Sequence, residues 1–425
     1  MNHRISVGDN IRLTAVKPVH GGAMIGWYEN TTVFVEGALP GEEVTARVTQ
    51  VRSRFVRAQV VSVDREHPDR QAPSCPAAAQ GSGCCDYSIA KPELQRHMKL
   101  AVVHDQLERL AQLDKNSWPQ EVSQLSAEDT GWRIRQRYTI DPKGELGSFR
   151  KWSNELIPRG HAECVQEASG LKRISLAEGL APGSEVVLAL GDDGNSHAVN
   201  LCYPRRNKHK VRSARAQATA RRAEREKRPD RTILWGSGQV TQRVGGKEWV
   251  LPAECFWQAH INAAAKYAEL VTQEADLVAG DRAWDLYGGC GVFAQALILA
   301  QPEVASVKSV DVDPRSIRAG EVAFSNDDRV VIRQSRVEQW LQRVNENPGT
   351  VVLDPPRAGA GKKVIELISR NTPHTVLHFG CDPASFTRDL ADWRRCGYGV
   401  KKLDVFDAFP GTHHMECFAK LEPLT

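Results

Sequence analysis

Short runs of alternating apolar and polar positions fill residues 4–65. The segments ISVGDNIRLTAV, TTVFVEGAL, EEVTARVTQV and RAQVVSV are rich in Val and Thr, and HGG and PGEE interrupt them. A period of two broken by Gly and Pro predicts strands joined by tight turns. Several such strands in so short a span predict a small β-barrel of the OB type over residues 1–66. The stretch HPDRQAPSCPAAAQGSG then reads as an exposed connector. After it, Leu94, Met98, Ala101, Val102, Leu107 and Leu110 recur at roughly helical spacing and predict a helix from Pro92 to about Leu113. Residues 130–205 are shorter and mixed, with strands expected at WRIRQRYTID and EVVLALG.

From about residue 250 the pattern changes. Candidate strands RAWDLY (282–287), SVKSVDV (306–312), TVVLDPP (350–356) and TVLHFGC (375–381) alternate with helical stretches. That alternation predicts an α/β, doubly wound, Rossmann-like sheet. The expected layout is a barrel over 1–66, a small mixed cysteine-containing domain over 67–248, and the doubly wound domain over 249–425.

Composition narrows the class. The chain has 425 residues, 41% hydrophobic and 25% charged, enough for two or three packed domains and unlike a disordered chain. Nowhere do eighteen apolar residues run together, and MNHRISVGDN lacks the apolar core of a signal peptide, so a membrane partner is not expected. Ten cysteines without a regular disulfide spacing suit a reducing cytoplasm. The net charge is only +4, but Arg205–Arg231 holds twelve Lys/Arg against three acids. Such a segment is either a solvated helix or loop, or a surface that tracks phosphates. A barrel of the OB type is often used to hold single-stranded RNA, and it also occurs as a purely structural module.

Open parallel sheets bind ligands beyond the carboxyl ends of their strands, and four of the strands here end in conspicuous groups. The first runs into Asp285-Leu-Tyr287-Gly288-Gly289-Cys290-Gly291, a turn whose glycines let backbone approach a ligand before a helix begins. Asp311 follows Gly291 by twenty residues, a spacing that suits a carboxylate on ribose hydroxyls. A dinucleotide and S-adenosylmethionine both satisfy these two features, although the complete G-x-G-x-x-G is absent. The third strand ends in Asp354-Pro355-Pro356-Arg357 and the fourth in Gly380-Cys381-Asp382-Pro383. Further on, Phe409–Glu416 forms a polar cluster in a strand-like tail. Strand alternation would point His413 and His414 apart, which argues against a metal held by that pair.

FWQAH (256–260), DLYGGCG (285–291), VDVDP (310–314), DPPR (354–357), FGCDPASFTRDL (379–390) and THHMEC (412–417) occur in the order found in RNA 5-methyluridine methyltransferases, and the C-terminal half resembles that family. VFVEGALPGEEVTARV near the N-terminus resembles the TRAM domain that precedes many members, while residues 95–250 follow the family loosely. The resemblance implies that Gln258, Tyr287, Asp311 and Asp354 contact S-adenosylmethionine, that Cys381 is the nucleophile and that Glu416 is the proton acceptor. It also implies an RNA substrate, with ribosomal RNA favoured over transfer RNA, and a monomer. Where many members carry Asn just beyond the glycine turn, this chain has Val292, so one polar contact to the cofactor is expected to be missing.

Members with a TRAM domain often hold a [4Fe–4S] cluster on four cysteines, and Cys75, the Cys84/Cys85 pair and Cys164 stand at similar places. The usual Cys-x5-Cys-x2-Cys spacing is broken by Gly81, which leaves a cluster, a zinc ion or no metal as alternatives. Three rival functions differ in their demands. A nicotinamide-dependent oxidoreductase would want the full glycine fingerprint. A non-catalytic RNA-binding protein would have no need of Cys381 and Glu416. A cytosine methyltransferase would share the cysteine adduct but not the THHME tail.

Overall fold

Asn10–Thr14 buries Ile11 and Leu13 and exposes the residues between them, as the alternation requires. The computed structural model describes residues 5–111, 113–151, 153–158, 164–172, 179–203 and 229–424. Its first sheet has six strands, in spatial order Asn10–Thr14, Glu43–Val51, Val56–Arg65, Thr31–Glu36, Met24–Tyr28 and Lys17–Pro18. Val33, Val35, Val44, Ala46 and Val48 fill its interior, giving the OB-like unit. The last two strands are absent from the sequence reading, because HGG reads there only as a break.

The helix Pro92–Gln106 has proline in its first turn, where the missing N–H costs nothing, and it continues as a wider π-type turn over Leu107–Ala111. Met98 enters the barrel core, whereas Val102, Val103 and Leu107 enter the core of the C-terminal domain. One helix therefore seats the barrel against the C-terminal sheet. The middle of the chain forms a six-stranded antiparallel sheet, ordered Leu156–Pro158, Leu146–Phe149, Arg135–Ile140, Glu185–Leu190, Ser196–Cys202 and Asp230–Trp235. The hairpin of Gln239–Val244 and Lys247–Pro252 spans residue 249, where the pattern puts a domain edge. Its Trp249 and Leu251 pack under the large sheet, so it belongs with the C-terminal domain. Most of the basic segment 205–231 lies outside the described residues; at its end, Arg231 pairs with Glu254 at 2.9 Å.

The large sheet is built from β1 (Arg282–Leu286), β2 (Ser306–Asp311), β3 (Val330–Gln334), β4 (Thr350–Leu353), β5 (Thr375–Gly380), β6 (Tyr398–Asp407) and β7 (Glu416–Pro423). Their spatial order is β3-β2-β1-β4-β5-β7-β6, with the short Ser123–Gln124 added beyond β6. β1 to β5 are parallel, and β7 runs antiparallel to both of its neighbours. Every residue of β4 and β5 is buried, as expected of strands covered on both faces. Helices α1 (Ala263–Glu274), α2 (Val292–Ala300) and α3 (Pro314–Ala323) cover one face. Helices α4 (Val337–Leu341), α5 (Lys362–Ser369) and α6 (Pro383–Arg395) cover the other. The Asp-Pro pairs that end two strand motifs start helices. Asp313 caps α3 and Asp382 caps α6, each side chain accepting a first-turn N–H while proline occupies the first helical position. Among the described residues no helix is long and apolar enough to cross a membrane.

Candidate active site

The carboxyl ends of β1, β2, β4 and β5 and the amino end of β7 lie along one edge of the sheet, because β7 alone is reversed. Cys381 follows the last residue of β5, and Glu416 is the first of β7; the two strands pair so that Gly380 stands opposite Cys417. Glu416 is 4% exposed, and its Oε1 has no hydrogen-bond partner among the described residues. Burial, then the charge of Asp354, pushes its carboxyl well above the usual range, against Arg357 and the Gly380 backbone. Burial likewise pushes the Cys381 thiol up to about 12, with Glu416 and Asp354 adding to the effect and Arg357 opposing it. Asp354 is pushed up to about 7 by burial, against the hydrogen bond from Gln258 Nε2 to its Oδ2 at 3.4 Å. Cys381, Glu416, Asp354, Gln258 and Arg357 thus form one electrostatic group, although they come from four separate sequence motifs.

The glycine turn lies beside it. Asp285 is fully buried, and its Oδ2 accepts from Ser309 Oγ (2.8 Å) and the Ala294 N–H (3.2 Å). Its Oδ1 has no partner among the described residues, and burial pushes the carboxyl up to about 7. A Cβ at Gly288 would sit 2.3 Å from both Asp285 Oδ2 and Ser309 Oγ, so only glycine allows the chain to turn here. Tyr287, just before it, takes a left-handed φ of 60°, and its ring packs beside the apolar cluster of the α4–α6 face. Asp311, at the end of β2, accepts from the Gly289 N–H (3.1 Å) and the Asp313 N–H (2.8 Å). A ligand there would meet a carboxylate already fixed by two amides. A nucleoside fits this edge: a carboxylate at the end of β2, a backbone cradle free of Cβ atoms, and polar groups at the end of β4. Val292 stands half-buried at the start of α2.

A cavity of about 350 Å³ opens over Cys381, lined also by Arg357, Asp382, His413 and His414, by Lys151, and by Val19, His20 and Gly21 of the barrel. A groove of about 360 Å³ shares those three barrel residues and runs on over Lys17, Phe34, Arg57 and Arg109. Arg57 lies over the rings of Phe34 (5.8 Å) and Phe55 (5.9 Å). Two histidines behave differently from expectation. His413 and His414 lie in a turn before β7, so strand alternation does not separate them, and their ring centroids are 4.0 Å apart. His413 is taken by Asp86, with Nδ1 at 2.6 Å from Oδ2 and its N–H donating to Oδ1 at 3.0 Å. Burial and the neighbouring His413 and Arg357 charges push His414 down to about 3.

Cys85 stands beside Cys75 and Cys84, and Cys164, from a distant loop, is near enough for its charge to be felt there. The Cys85 thiol is raised by hydrogen bonds with Cys75 and Cys84 and feels Cys164, and the bond from Cys85 holds Cys84 near 7. Four thiols match a thiolate-bound cluster in number and kind of donor. Among the described residues no three His, Cys, Asp or Glu stand in the geometry of a metal-ion site. The sequence reading passes over His20, Lys151, Asp86 and Lys99. His20 and Gly22 are in HGG, where the turn signal conceals the chemistry, and the other three carry no motif at all.

A family model described as tRNA (uracil-5-)-methyltransferase matches residues 240–423, and one for the TRAM domain matches residues 7–61. An uncharacterized RNA methyltransferase of Corynebacterium glutamicum is 38% identical, over 97% of this chain and 96% of that one. Another, from Streptomyces coelicolor, is 34% identical over 98% and 93%. The crystal structure of Pyrococcus abyssi tRNA (uracil-54, C5)-methyltransferase in complex with S-adenosyl-L-homocysteine superposes with a TM-score of 0.68, covering 96% of this chain and 99% of that one at 18% identity; it shares the fold. The chain belongs to the tRNA (uracil-5-)-methyltransferase family: it is an S-adenosylmethionine-dependent RNA uracil-C5 methyltransferase with an N-terminal TRAM domain.

Proposed function

We propose that the chain methylates carbon 5 of a uridine in ribosomal RNA through a covalent adduct with Cys381, and that Glu416 removes the carbon 5 proton. The observation that carries this reading is the pairing of an accessible thiol with a buried, singly unpartnered carboxylate across the β5–β7 edge. Carbon 5 of uracil is a poor nucleophile. Addition of the Cys381 thiolate to carbon 6 moves the ring electrons toward oxygen 4 and makes carbon 5 electron-rich. The methyl donor, when bound, supplies an electrophilic methyl on positively charged sulfur; Gln258, Asp311, Asp354 and the backbone after Tyr287 are the groups that would hold it. Carbon 5 then carries both hydrogen and methyl. Glu416 takes the proton, the double bond re-forms, and the Cys381 sulfur leaves. The raised proton affinity of Glu416 makes it the stronger base once ionised, whereas burial of the Cys381 thiol works against thiolate formation. Arg357, which opposes both shifts, helps ionise the thiol. The target must leave its stack to reach the cavity, and the groove of Lys17, Phe34, Arg57 and Arg109 offers cations and an aromatic face for the neighbouring strand.

Ribosomal RNA is chosen because the cysteine-rich loop behind the barrel resembles the ribosomal members. The second reading, transfer RNA, is favoured by the family description. We take Cys75, Cys84, Cys85 and Cys164 as the groups that would hold a [4Fe–4S] cluster. Quantifying 5-methyluridine separately in ribosomal and transfer RNA from a strain lacking this protein tests the assignment: loss from the ribosomal fraction is expected, and loss from transfer RNA alone selects the second reading. Loss from neither overturns both.

A further inference from the structure

The barrel reaches the cavity through one turn, residues 19–22. It closes with the Val19 N–H on the Ala23 carbonyl (2.9 Å) and the Gly22 N–H on the Val19 carbonyl (3.2 Å). Lys151 Nζ donates both to the Gly21 carbonyl (3.0 Å) and to Asp86 Oδ2 (2.8 Å). Gly22 has a φ of +83°, and a Cβ there would stand 2.4 Å from Asp86 Oδ2 and 3.0 Å from His413 Cβ. The turn is therefore seated against loops from the middle and the end of the chain, and it does not act as a free arm.

At its tip His20 Nε2 stands 3.1 Å from Asp382 Oδ2. Asp382 immediately follows Cys381, and its other oxygen, Oδ1, accepts the Ser385 N–H at 2.9 Å to cap α6. One carboxylate is thus held from two sides, by its own helix and by the barrel. Burial alone would raise Asp382, yet His20 and the Ser385 backbone together hold it down at about 2, so it is ionised whenever the site works. The link between β5 and α6 consists of Cys381 and Asp382 alone.

We propose that His20 is a positioning residue of the methylation reaction, contributed by the TRAM barrel: it clamps Asp382 and thereby fixes the two-residue link that aims Cys381. The inference rests on Cys381 as nucleophile. Sulfur must approach carbon 6 from one face of the ring, and a link with only two residues passes any rotation at Asp382 on to its neighbour. With His20 removed, Asp382 Oδ2 turns to water and only the helix-cap bond remains. The barrel is then part of the catalytic unit as well as a holder of RNA. It would also mean that docking of the barrel is required before the thiol is correctly aimed.

The test uses full-length protein, S-adenosylmethionine, and ribosomal and transfer RNA transcribed with 5-fluorouridine triphosphate. Fluorine at carbon 5 cannot be removed as a proton, so the adduct accumulates and is counted on denaturing gels. For His20→Ala the adduct rate at saturating RNA is expected to fall about tenfold to a hundredfold, with RNA affinity changed by less than about twofold. His20→Gln, whose amide nitrogen reaches the place of Nε2, is expected to recover most of the rate. His20 is 41% exposed at its side chain, so truncation leaves the core intact, and matched melting curves verify that. An unchanged rate at saturating RNA in His20→Ala overturns the proposal, whether or not affinity falls. Failure of the wild type to form any adduct while it still methylates unmodified RNA defeats the Cys381 reading instead, and the maximal methylation rates of the same variants then decide the role of His20.

Discussion

Exchanging Glu416 for Gln should separate the two halves of the reaction. The carboxyl is buried, one of its oxygens lacks a hydrogen-bond partner among the described residues, and burial with Asp354 raises its proton affinity. Glutamine keeps the volume and one acceptor but cannot take a proton. A positioned general base contributes about 10²- to 10⁴-fold, which at about 1.4 kcal/mol per tenfold corresponds to about 3–5 kcal/mol of barrier. That loss falls on proton removal alone, since thiolate addition and methyl transfer precede it. Glu416→Gln should therefore accumulate enzyme bonded to RNA, visible as a slow protein-sized shift on denaturing gels, while multiple turnover falls by about two to four decades. The double variant Cys381→Ala/Glu416→Gln should show no shift. The pH dependence follows from the same groups. Thiol and carboxyl both act deprotonated and both are shifted upward, so wild-type turnover should rise with pH through neutrality. Full turnover by Glu416→Gln would refute the assignment of the base, and a shift that survives in the double variant would place the nucleophile elsewhere.

Asp311→Ala should weaken S-adenosylmethionine binding by about 1.5–3 kcal/mol, the range for a lost charge-assisted hydrogen bond; calorimetry showing unchanged affinity removes Asp311 from the site. Lys99 is fully buried and donates to Asp407 Oδ1 (2.5 Å) and to the Phe409 carbonyl (3.1 Å) at the root of the loop before β7. Lys99→Met strands the Asp407 charge and should cost about 3–5 kcal/mol in denaturant unfolding, with Lys99→Met/Asp407→Leu recovering much of it; a double variant no better than the single contradicts the pairing. Asp285 binds its proton more tightly folded than unfolded, its carboxyl being raised from 3.8 to about 7. The stability it contributes is complete below about pH 4 and lost as pH rises through about 7. Melting temperatures of Asp285→Asn should therefore fall less than those of wild type over that window, and equal slopes would count against the burial argument. Anaerobically purified protein should be brown and lose both colour and iron in Cys75→Ser/Cys164→Ser; colourless protein without iron ends the cluster assignment.

The chain's short-range order was open to reading from sequence. Val and Thr alternation marks four of the barrel strands, largely apolar runs mark β4 and β5, and Asp-Pro pairs mark the starts of α3 and α6. Each signal arises within a few residues, from side-chain direction, fixed φ or a capping oxygen. Among β1 to β7, two strands escaped. β3 is half-exposed at the sheet edge, and β6 carries Lys401 and Lys402, the latter satisfied by Glu274 from α1, so neighbours settle their burial. Strand alternation does not hold at His413 and His414 either, since Asp86 draws the segment into a turn. The chemistry at each strand end was also legible, motif by motif. What assembles it was not. Lys99 and Asp407 meet across 308 residues and His413 and Asp86 across 327, while His20 reaches Asp382 from the opposite end of the chain. No local pattern records such pairs, because they form only after the barrel, the cysteine loop and the sheet have packed and excluded water from the space between them.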